Sequence, residues 1–206
     1  MKRTPFVRSV VIAFSLLASY SLTSAEVVTP MSVAPGGVVS YSGDRSASLS
    51  SAVSGYAVGD VTGTPNAVDV QNRFGGTWLK EGELTADGTD DLLTIDLTSG
   101  TWGSAGPLSG TWAINPSFWT TYGSAVITMH VGNGAGDPDW FLWEITPLQT
   151  SGNFSYVRTD GGGGGLSNLF LWGSGTPGTK VPDSGVTLSL LALALGALGL
   201  MRRWAK

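Results

Sequence analysis

The sequence predicts an all-β protein whose body is an antiparallel, jelly-roll-like β-sandwich, flanked by one apolar helix at each end of the chain. Three observations predict this class. Glycine is frequent, at 30 of 206 residues. No stretch of the body repeats its apolar residues at the 3.6-residue period of an amphipathic helix. Short stretches of alternating polar and apolar residues, separated by Gly, Pro, Asn and Asp, dominate instead, which is typical of sandwiches and barrels.

The first apolar segment has the features of a secretory signal peptide. Residues 1–25 begin with basic residues, continue with an apolar stretch and end in small residues. This order predicts cleavage between Ala25 and Glu26. The alternative is a membrane helix that is retained, which the small residues before the cut disfavour. We therefore expect the chain to pass through the Sec translocon and to be cut by signal peptidase.

The second apolar segment lies near the C-terminus. Residues 186–201 carry no charge, and as a helix they would be roughly 24 Å long. The hydrocarbon core of a bilayer is roughly 30 Å thick, so the segment is a short but usable span of the inner membrane. Arg202, Arg203 and Lys206 form a basic tail, 202–206, and predict that this end is cytoplasmic.

The body between these segments is acidic. Residues 26–185 contain five Lys and Arg against all fifteen Asp and Glu of the chain, a net charge of −10. Such a surface is a poor partner for nucleic acid, which requires basic patches. Cysteine is absent and His130 is the single histidine. Thiolate zinc sites, His-rich metal sites and Ser-His-Asp catalysis are therefore excluded.

Alternation places several strands in the body. The candidates are residues 92–97, 125–131, 140–145 and 166–172, a strand around Phe154 and Tyr156, and weaker ones at 37–41 and 56–61. Residues 140–145 are apolar on both faces, with Phe141 and Trp143 on one and Trp140 and Leu142 on the other. A strand of this kind is central in its sheet or has a second layer beside it.

Glycine-containing stretches predict several of the connections between strands. Asp87-Gly88 suits a tight hairpin. The triplets 100–102 and 110–112 both read Gly-Thr-Trp and suit the two arms of another hairpin that turns near Gly106-Pro107. The five glycines at 161–165 predict a loop, because no Gly-Lys-Ser or Gly-Lys-Thr follows that would indicate a phosphate-binding loop.

The carboxylates suggest two candidate functions, glycoside hydrolysis and Ca²⁺ binding, and the sequence signal for each is weak. Asp137 with Asp139, or Asp96 with Glu144, could form the acid pair of a glycosidase. Nothing in the sequence brings either pair into a cleft, and an acidic surface produces such pairs by chance. The loops 87–91 and 137–139 could hold Ca²⁺ through hard oxygen ligands, but neither matches the EF-hand pattern. Solvated turn residues are the competing interpretation, and we predict no cofactor.

Seven tryptophans lie in the body, and they allow two interpretations. Exposed indole faces can stack on sugars, and Trp78, Trp102 and Trp119 are the candidates for such glycan stacking. The alternative is that tryptophans fill the core, because the body has few Leu and Ile residues. We expect five or more of the seven to be substantially buried. His130 is predicted to face outward on its strand as a surface residue.

The C-terminal segment resembles a known sorting signal. Val181, Pro182, Asp183, Ser184 and Gly185 precede the apolar residues and the basic tail. This order is similar to the VPDSG-CTERM signal of the PEP-CTERM class. The resemblance implies processing by an exosortase-like transpeptidase near this pentapeptide. The alternative is a plain membrane anchor that no enzyme recognises.

The body also resembles, more loosely, the ectodomains often found on PEP-CTERM proteins. The residues concerned are 110–114, 129–143 and 165–173, and similar proteins often have His where Asn168 stands. This resemblance implies a β-sandwich ectodomain and assigns no activity.

Together these observations predict an exported protein of the cell envelope, cell surface or extracellular matrix. Its segments are a signal peptide (1–25), a β-sandwich ectodomain (26–172), a flexible linker (173–180) and a sorting signal (181–206). The expected role of the ectodomain is structural or interaction rather than enzymatic, and family members are associated with exopolysaccharide. Two alternatives remain open, a carbohydrate-binding module and a secreted glycoside hydrolase.

Overall fold

The computed structural model describes residues 26–59, 63, 65–132, 137–159 and 164–177. The predicted signal peptide and the predicted sorting signal, 181–206, lie outside these residues. Within the described ranges, no helix is both long enough and apolar enough to cross a membrane.

The described chain forms short strands, one α-helix and one 3₁₀ helix. The strands are β1 (Val27–Pro30), β2 (Ser32–Ala34), β3 (Val38–Tyr41), β4 (Arg45–Leu49), β5 (Ala52–Gly59), β6 (Trp78–Leu84), β7 (Gly88–Asp90), β8 (Leu93–Ser99), β9 (Leu108–Ile114), β10 (Ser124–Val131), β11 (Trp140–Ile145), β12 (Ser151–Arg158) and β13 (Leu166–Ser174). Helix α1 spans Ala67–Phe74, and the 3₁₀ helix spans Pro116–Thr120.

The strands form two antiparallel sheets. The first sheet has the order β1-β5-β11-β10-β13-β6, and the second has the order β2-β3-β4-β12-β9-β8-β7. Their inner faces share one hydrophobic core, in which Ile127 and Phe141 of the first sheet are buried together with Leu49 and Trp112 of the second. The mainly β, antiparallel body that the sequence predicts is confirmed.

Strand β11 is buried on both faces, as its sequence predicts. Phe141 and Trp143 belong to the core between the sheets, and Trp140 and Leu142 belong to a second cluster on the outer face of the first sheet. The indole of Trp143 donates a hydrogen bond of 3.1 Å to the carbonyl of Val39, which ties the first sheet to the second. Because β11 lies between β5 and β10, the prediction of a central strand is confirmed.

Helix α1 lies on the outer face of the first sheet, and the sequence did not predict it. Val70 of this helix is fully buried in the outer cluster. The ring of Phe74 packs edge-on against Tyr56 of β5, with centroids 5.4 Å apart, and against Trp78 of β6, at 6.2 Å. Eight residues are too few for a helical period to be told from a loop by pattern alone.

Helix α1 begins with a complete capping box. The side chain of Asn66 accepts hydrogen bonds from the N–H groups of Val68 and Asp69, and the carboxylate of Asp69 accepts one from the N–H of Asn66. These bonds satisfy N–H groups that the first turn of a helix leaves without partners. The cap therefore stabilises a helix that is too short to be stable by propensity.

The prediction of a tight hairpin at Asp87-Gly88 is wrong. The two-residue turn lies at Asp91-Leu92, between β7 and β8. Asp91 has φ +47°, a left-handed conformation that Asp adopts more readily than most residues. The carboxylate of Asp87 instead accepts a hydrogen bond of 2.8 Å from the N–H of Leu97, so its role is to hold β8.

The hairpin predicted from the two Gly-Thr-Trp triplets is confirmed in part. Strands β8 and β9 pair with Leu97 opposite Gly110, so the second triplet does lie in a hairpin arm. The first triplet does not, because β8 ends at Ser99. Gly100 has φ +88°, a conformation that few other residues adopt, and Trp102 lies in the connecting loop.

The chain leaves the body at one end of the sandwich, which we call the exit end. Residues 115–123, 146–150 and 174–177 lie there, together with the β7–β8 turn of Asp90 and Asp91, because the N–H of Asn115 donates to the carbonyl of Leu92. Arg45 and Asp139 lie at the opposite end, which we call the charged end. The register of β10 on β13 separates the two ends, since Ser174 pairs with Ser124 while Asn168 pairs with His130. Strand β13 continues to Ser174, two residues into the predicted linker.

We expect Asn66→Ala to lower the free energy of unfolding by about 1 kcal/mol, because the N-cap bonds of α1 are lost. Asn72→Ala is the matched control, since Asn72 is exposed in the same helix and has no capping role. Its effect should stay within about 0.5 kcal/mol. Urea denaturation monitored by tryptophan fluorescence measures both, and equal losses would contradict the assigned cap.

Candidate functional site

The structure buries most of the tryptophans. Six of the seven in the body have relative exposures of 8% or less: Trp78, Trp112, Trp119, Trp140, Trp143 and Trp172. The expectation that five or more are substantially buried is confirmed. Their indole N–H groups mostly find acceptors inside the fold, as in the bonds from Trp119 to the carbonyl of Gln149 (3.0 Å) and from Trp172 to the hydroxyl of Thr128 (3.0 Å).

The three candidates for glycan stacking do not form a platform. Trp78 is 5% exposed in the outer cluster, and Trp119 is 8% exposed in the core between the sheets. Neither presents a ring face to solvent. Trp102 is half-buried, and its indole donates a hydrogen bond of 3.1 Å to the carbonyl of Ser167. The burial of Trp78 and Trp119 follows from the scarcity of Leu and Ile, because large rings must fill the core.

The outer face of the first sheet carries a cluster that the sequence analysis did not identify, which we call the polar row: His130, Asn168, Glu83 and Lys80. His130 and Asn168 are opposite each other on β10 and β13. The Asn168 amide donates to Glu83 at 3.2 Å, and the Lys80 ammonium donates to the same carboxylate at 2.6 Å. The hydroxyl of Ser167 donates to the Asn168 side-chain oxygen at 2.7 Å, which fixes the amide orientation.

The polar row joins three neighbouring strands and four kinds of polar group. An imidazole, an amide, a carboxylate and an ammonium can donate and accept hydrogen bonds with a polar ligand. No single stretch of sequence signals this cluster, since its members come from β6, β10 and β13, which are separated along the chain. The one available signal was the alternating pattern of β10, which predicts that His130 faces outward.

His130 is less exposed than predicted. Its ring packs edge-on against Trp140, with centroids 6.2 Å apart, and is half-buried. Among the described residues its Nδ1 has no hydrogen-bond partner. Burial lowers the pKa of His130; the hydrogen bond with Asn168 and the charge of Asp139 oppose this shift, and the charge of Arg45 adds to it. His130 does face outward from β10, as the sequence predicts, but Trp140 and Asn168 flank the ring and leave it half-buried rather than exposed.

A buried arginine lies at the charged end. Arg45 of β4 is 0% exposed and donates from Nη1 to the carboxylate of Asp139 at 2.8 Å and to the carbonyl of Pro138 at 3.2 Å. Arg158 of β12 is opposite it in the sheet and donates to the carbonyl of Gly164 at 3.4 Å. Because Arg45 belongs to the second sheet and Asp139 precedes β11 of the first, this ion pair holds the two sheets together at one end.

The carboxylate pairs considered for hydrolysis are not assembled into a site. Asp96 is exposed on β8 of the second sheet, whereas Glu144 lies on β11 of the first and accepts a hydrogen bond of 2.8 Å from Ser54. Asp139 of the other pair is bound to Arg45. In each pair, therefore, one carboxylate is engaged by another group of the protein, namely Glu144 by Ser54 and Asp139 by Arg45.

Carboxylates of the candidate calcium loops also bind other groups of the protein. In the loop 87–91, the Asp87 carboxylate accepts from Leu97 and the Asp90 carboxylate accepts from the N–H of Glu83 at 2.7 Å. Across the described ranges, no group of three or more His, Cys, Asp or Glu residues is arranged to hold a metal ion.

The C-terminal segment lies beyond the described residues, and comparison with known families assigns it. A family model described as the VPDSG-CTERM motif matches residues 180–203. This segment is a VPDSG-CTERM motif. The match contains Val181, Pro182, Asp183, Ser184 and Gly185, the apolar residues 186–201, and Arg202 and Arg203 of the basic tail. It confirms the resemblance and is consistent with a sorting signal of the PEP-CTERM class.

The VPDSG-CTERM segment is the part of the chain that the comparisons recognise. No curated protein and no solved structure matches the chain. The sorting signal is therefore assigned by family, whereas the role of the body depends on its own geometry.

We expect Arg45→Met to lower the free energy of unfolding by about 3–5 kcal/mol, because it breaks a buried ion pair between the sheets. Lys80→Met is the matched control, since it removes an ion pair that is largely exposed. That change should cost no more than about 1 kcal/mol. Chemical denaturation of a chain without its two terminal segments measures both. A small effect of Arg45→Met would contradict its proposed role.

We expect part of the stability to be lost on acidification because of His130. Its ordinary pKa is about 6.5, and burial lowers the pKa in the folded state. The unfolded chain then binds the proton more readily. The stabilising contribution of the neutral imidazole is therefore present above about pH 6.5 and is lost as the pH falls toward the folded pKa.

Urea denaturation of the wild type and of His130→Gln between about pH 7.5 and about pH 5 tests this contribution. His130 is the single histidine, so the difference between the two curves isolates it from the carboxylates. The variant should lose less stability than the wild type over this interval. Parallel curves would show that the folded and unfolded histidine have the same pKa.

Proposed function

We propose that this protein is exported, held transiently in the inner membrane by its VPDSG-CTERM segment, and then processed by an exosortase-like transpeptidase near Val181 to Gly185. The observation that carries the proposal is the family match at residues 180–203. The uncharged residues 186–201 and the basic tail support the topology independently, because they suit a short span with a cytoplasmic end. Signal peptidase would cut between Ala25 and Glu26 after passage through the Sec translocon.

The proposed final location is the cell envelope, the cell surface or the extracellular matrix, and the body has a structural or interaction role there. Its acidic surface suits a hydrated domain outside the cytoplasm. A jelly-roll-like description of the body is supported by the nesting of its strand pairs. The pairs β10–β11, β9–β12 and β6–β13 enclose one another along the chain and alternate between the two sheets.

Carbohydrate binding is the second candidate function. The observation that favours it is the polar row, because its carboxylate, amide and ammonium groups can bind hydroxyl groups. The burial of Trp78 and Trp119 argues against a stacking platform of the kind that the sequence suggested. A secreted hydrolase ranks third, because Asp96 and Glu144 lie on different sheets and Asp139 is bound to Arg45. We therefore propose no catalytic activity for the body.

Deleting residues 181–185 in the native host tests the sorting proposal. We expect the wild type to mature to a lower mass that lacks the C-terminal segment, while the deleted chain stays in the membrane fraction with that segment attached. Deleting residues 175–179 is the matched control, because it shortens the chain equally but keeps the pentapeptide. Maturation of both deletions to the wild-type location and end-point would refute processing at this motif.

A further inference from the structure

The outer face of the second sheet is made mainly of hydroxyl groups. The residues that alternate with those of the core, and their partners on the edge strands β2 and β7, face outward. The seven strands of this sheet have seventeen such positions, and eleven of them are Ser or Thr. None of the seventeen is buried. We call this surface the hydroxyl face.

Five serines and one threonine cross the hydroxyl face in a single row. Each serine is opposite the next in the strand pairing, from β2 through β3, β4 and β12 to β9. On β8 the row continues with a threonine whose hydroxyl lies 3.3 Å from that of the last serine. We call these residues the serine row: Ser32, Ser40, Ser48, Ser155, Ser109 and Thr98. Because neighbouring strands are about 4.8 Å apart, the row is roughly 24 Å long.

Strand propensity does not account for five serines in this row. The usual strand formers are Val, Ile, Thr and the aromatic residues. Cross-strand hydrogen bonds stabilise part of the row, as between the hydroxyls of Ser48 and Ser155 at 2.7 Å. Serine also supplies something that larger strand formers do not, namely a low and flat surface with one hydroxyl group on each strand.

The hydroxyl face carries almost no charge. Asp96 is the one charged residue among its seventeen described positions, in a body whose net charge is −10. The same positions include no Lys, Arg, Glu or Gln and no aromatic residue. A ligand on this face would therefore immobilise few flexible side chains, and that immobilisation is one of the main costs of association. The first sheet differs, because helix α1 lies on its outer face.

The chemistry of the hydroxyl face excludes most classes of ligand. Nucleic acid and other anionic polymers require basic residues. Protein partners and membranes require aromatic or other apolar anchors, and a small molecule requires a concave site. A neutral polysaccharide requires none of these, because its own surface consists of hydroxyl groups that donate and accept hydrogen bonds. In an extended glycan, one sugar residue is also about as long as the spacing between two strands.

We propose that the hydroxyl face binds a neutral polysaccharide, whose extended chain follows the serine row with about one sugar residue over each strand. This inference deepens the proposed interaction role of the body and uses a different face from the polar row. Each sugar contributes little by itself, because its hydrogen bonds to the protein replace hydrogen bonds to water. The affinity therefore accumulates along the polymer.

Affinity electrophoresis of the full-length chain tests the proposal. The protein is solubilised in a detergent without a sugar headgroup and run through native gels that contain glucomannan, a neutral and linear polysaccharide. Gels with alginate, an anionic polysaccharide, are the comparison. Each mobility is divided by the mobility of the same chain in a gel without polymer, which removes the effect of its own charge. We expect glucomannan to retard the wild type and alginate not to retard it.

Ser155→Lys places a long charged side chain at the centre of the row. It should weaken binding to glucomannan about ten-fold, because the lysine holds the polymer away from the flat face. Ser42→Lys is the matched control, since Ser42 is exposed between β3 and β4 and outside the hydroxyl face. Its affinity should stay within about two-fold of the wild type.

A second variant covers the case in which Ser155→Lys does not fold, which thermal denaturation monitored by tryptophan fluorescence would show. Ser32→Lys lies at the exposed end of the row, away from the bond between Ser48 and Ser155. It should also weaken binding, by about two- to three-fold, because one strand of the row is blocked.

Oligosaccharides prepared from glucomannan test the length of the site. Their competition with the polymer should strengthen with each added sugar and level off near about six residues, since the row crosses six strands. A disaccharide that competes as well as the longer oligosaccharides would indicate a pocket and would contradict binding along the row.

Three other results would overturn the inference. They are the absence of retardation of the wild type by glucomannan, equal retardation of the wild type and the folded row variants, and stronger retardation by alginate. A loss of binding in Asn168→Ala, with none in Ser155→Lys, would assign the binding to the polar row instead. The maturation of the deleted chains tests sorting separately, so failure of this inference is distinguishable from failure of the sorting proposal.

Discussion

A strand that is apolar on both faces must be covered on both faces, and β11 imposes this constraint on the whole body. Burial of a large apolar side chain contributes about 1.5–3 kcal/mol, and Trp140, Phe141, Leu142 and Trp143 are all almost fully buried. The second sheet covers Phe141 and Trp143, whereas helix α1 and the outer cluster cover Trp140 and Leu142. The second sheet and the outer cluster that includes helix α1 thus both follow from the apolar residues of β11. This burial also explains how a domain without cysteine is stabilised.

Sequence patterns predicted the strands well where one face is apolar and the other polar. The pattern of β10 gave the correct faces for Ile127 and Met129, which point inward. It failed at α1, because eight residues are too few to show a helical period and the helix depends on the Asn66 cap and on the packing of Phe74 against Tyr56 and Trp78. The candidate site was missed for a different reason. The polar row is assembled from β6, β10 and β13, and only the sheet order brings Glu83 beside Asn168.

One buried ion pair dominates the electrostatics of the charged end. At the charged end, Arg45 is fully buried and binds Asp139, so a costly desolvation is offset by an ion pair that joins the sheets. The same group of residues influences His130, where burial outweighs the favourable charge of Asp139. The chain continues to the VPDSG-CTERM segment from the opposite end of the sandwich, beside Gly123, whose N–H donates to the carbonyl of Ser174.

The position of β13 connects the folding of the body to the proposed sorting. This strand is the last in the sequence, yet it lies inside the first sheet, between β10 and β6. Among the described strands β6 pairs only with β13 in that sheet, so the first sheet is incomplete until residues 166–174 have joined it. Only eleven residues then separate the body from the apolar residues 186–201. Under the proposed export route, completion of the sandwich and arrival of the anchor in the membrane are nearly simultaneous. On that route the processing enzyme meets a chain whose body has just become able to fold, with residues 175–180 between β13 and the pentapeptide.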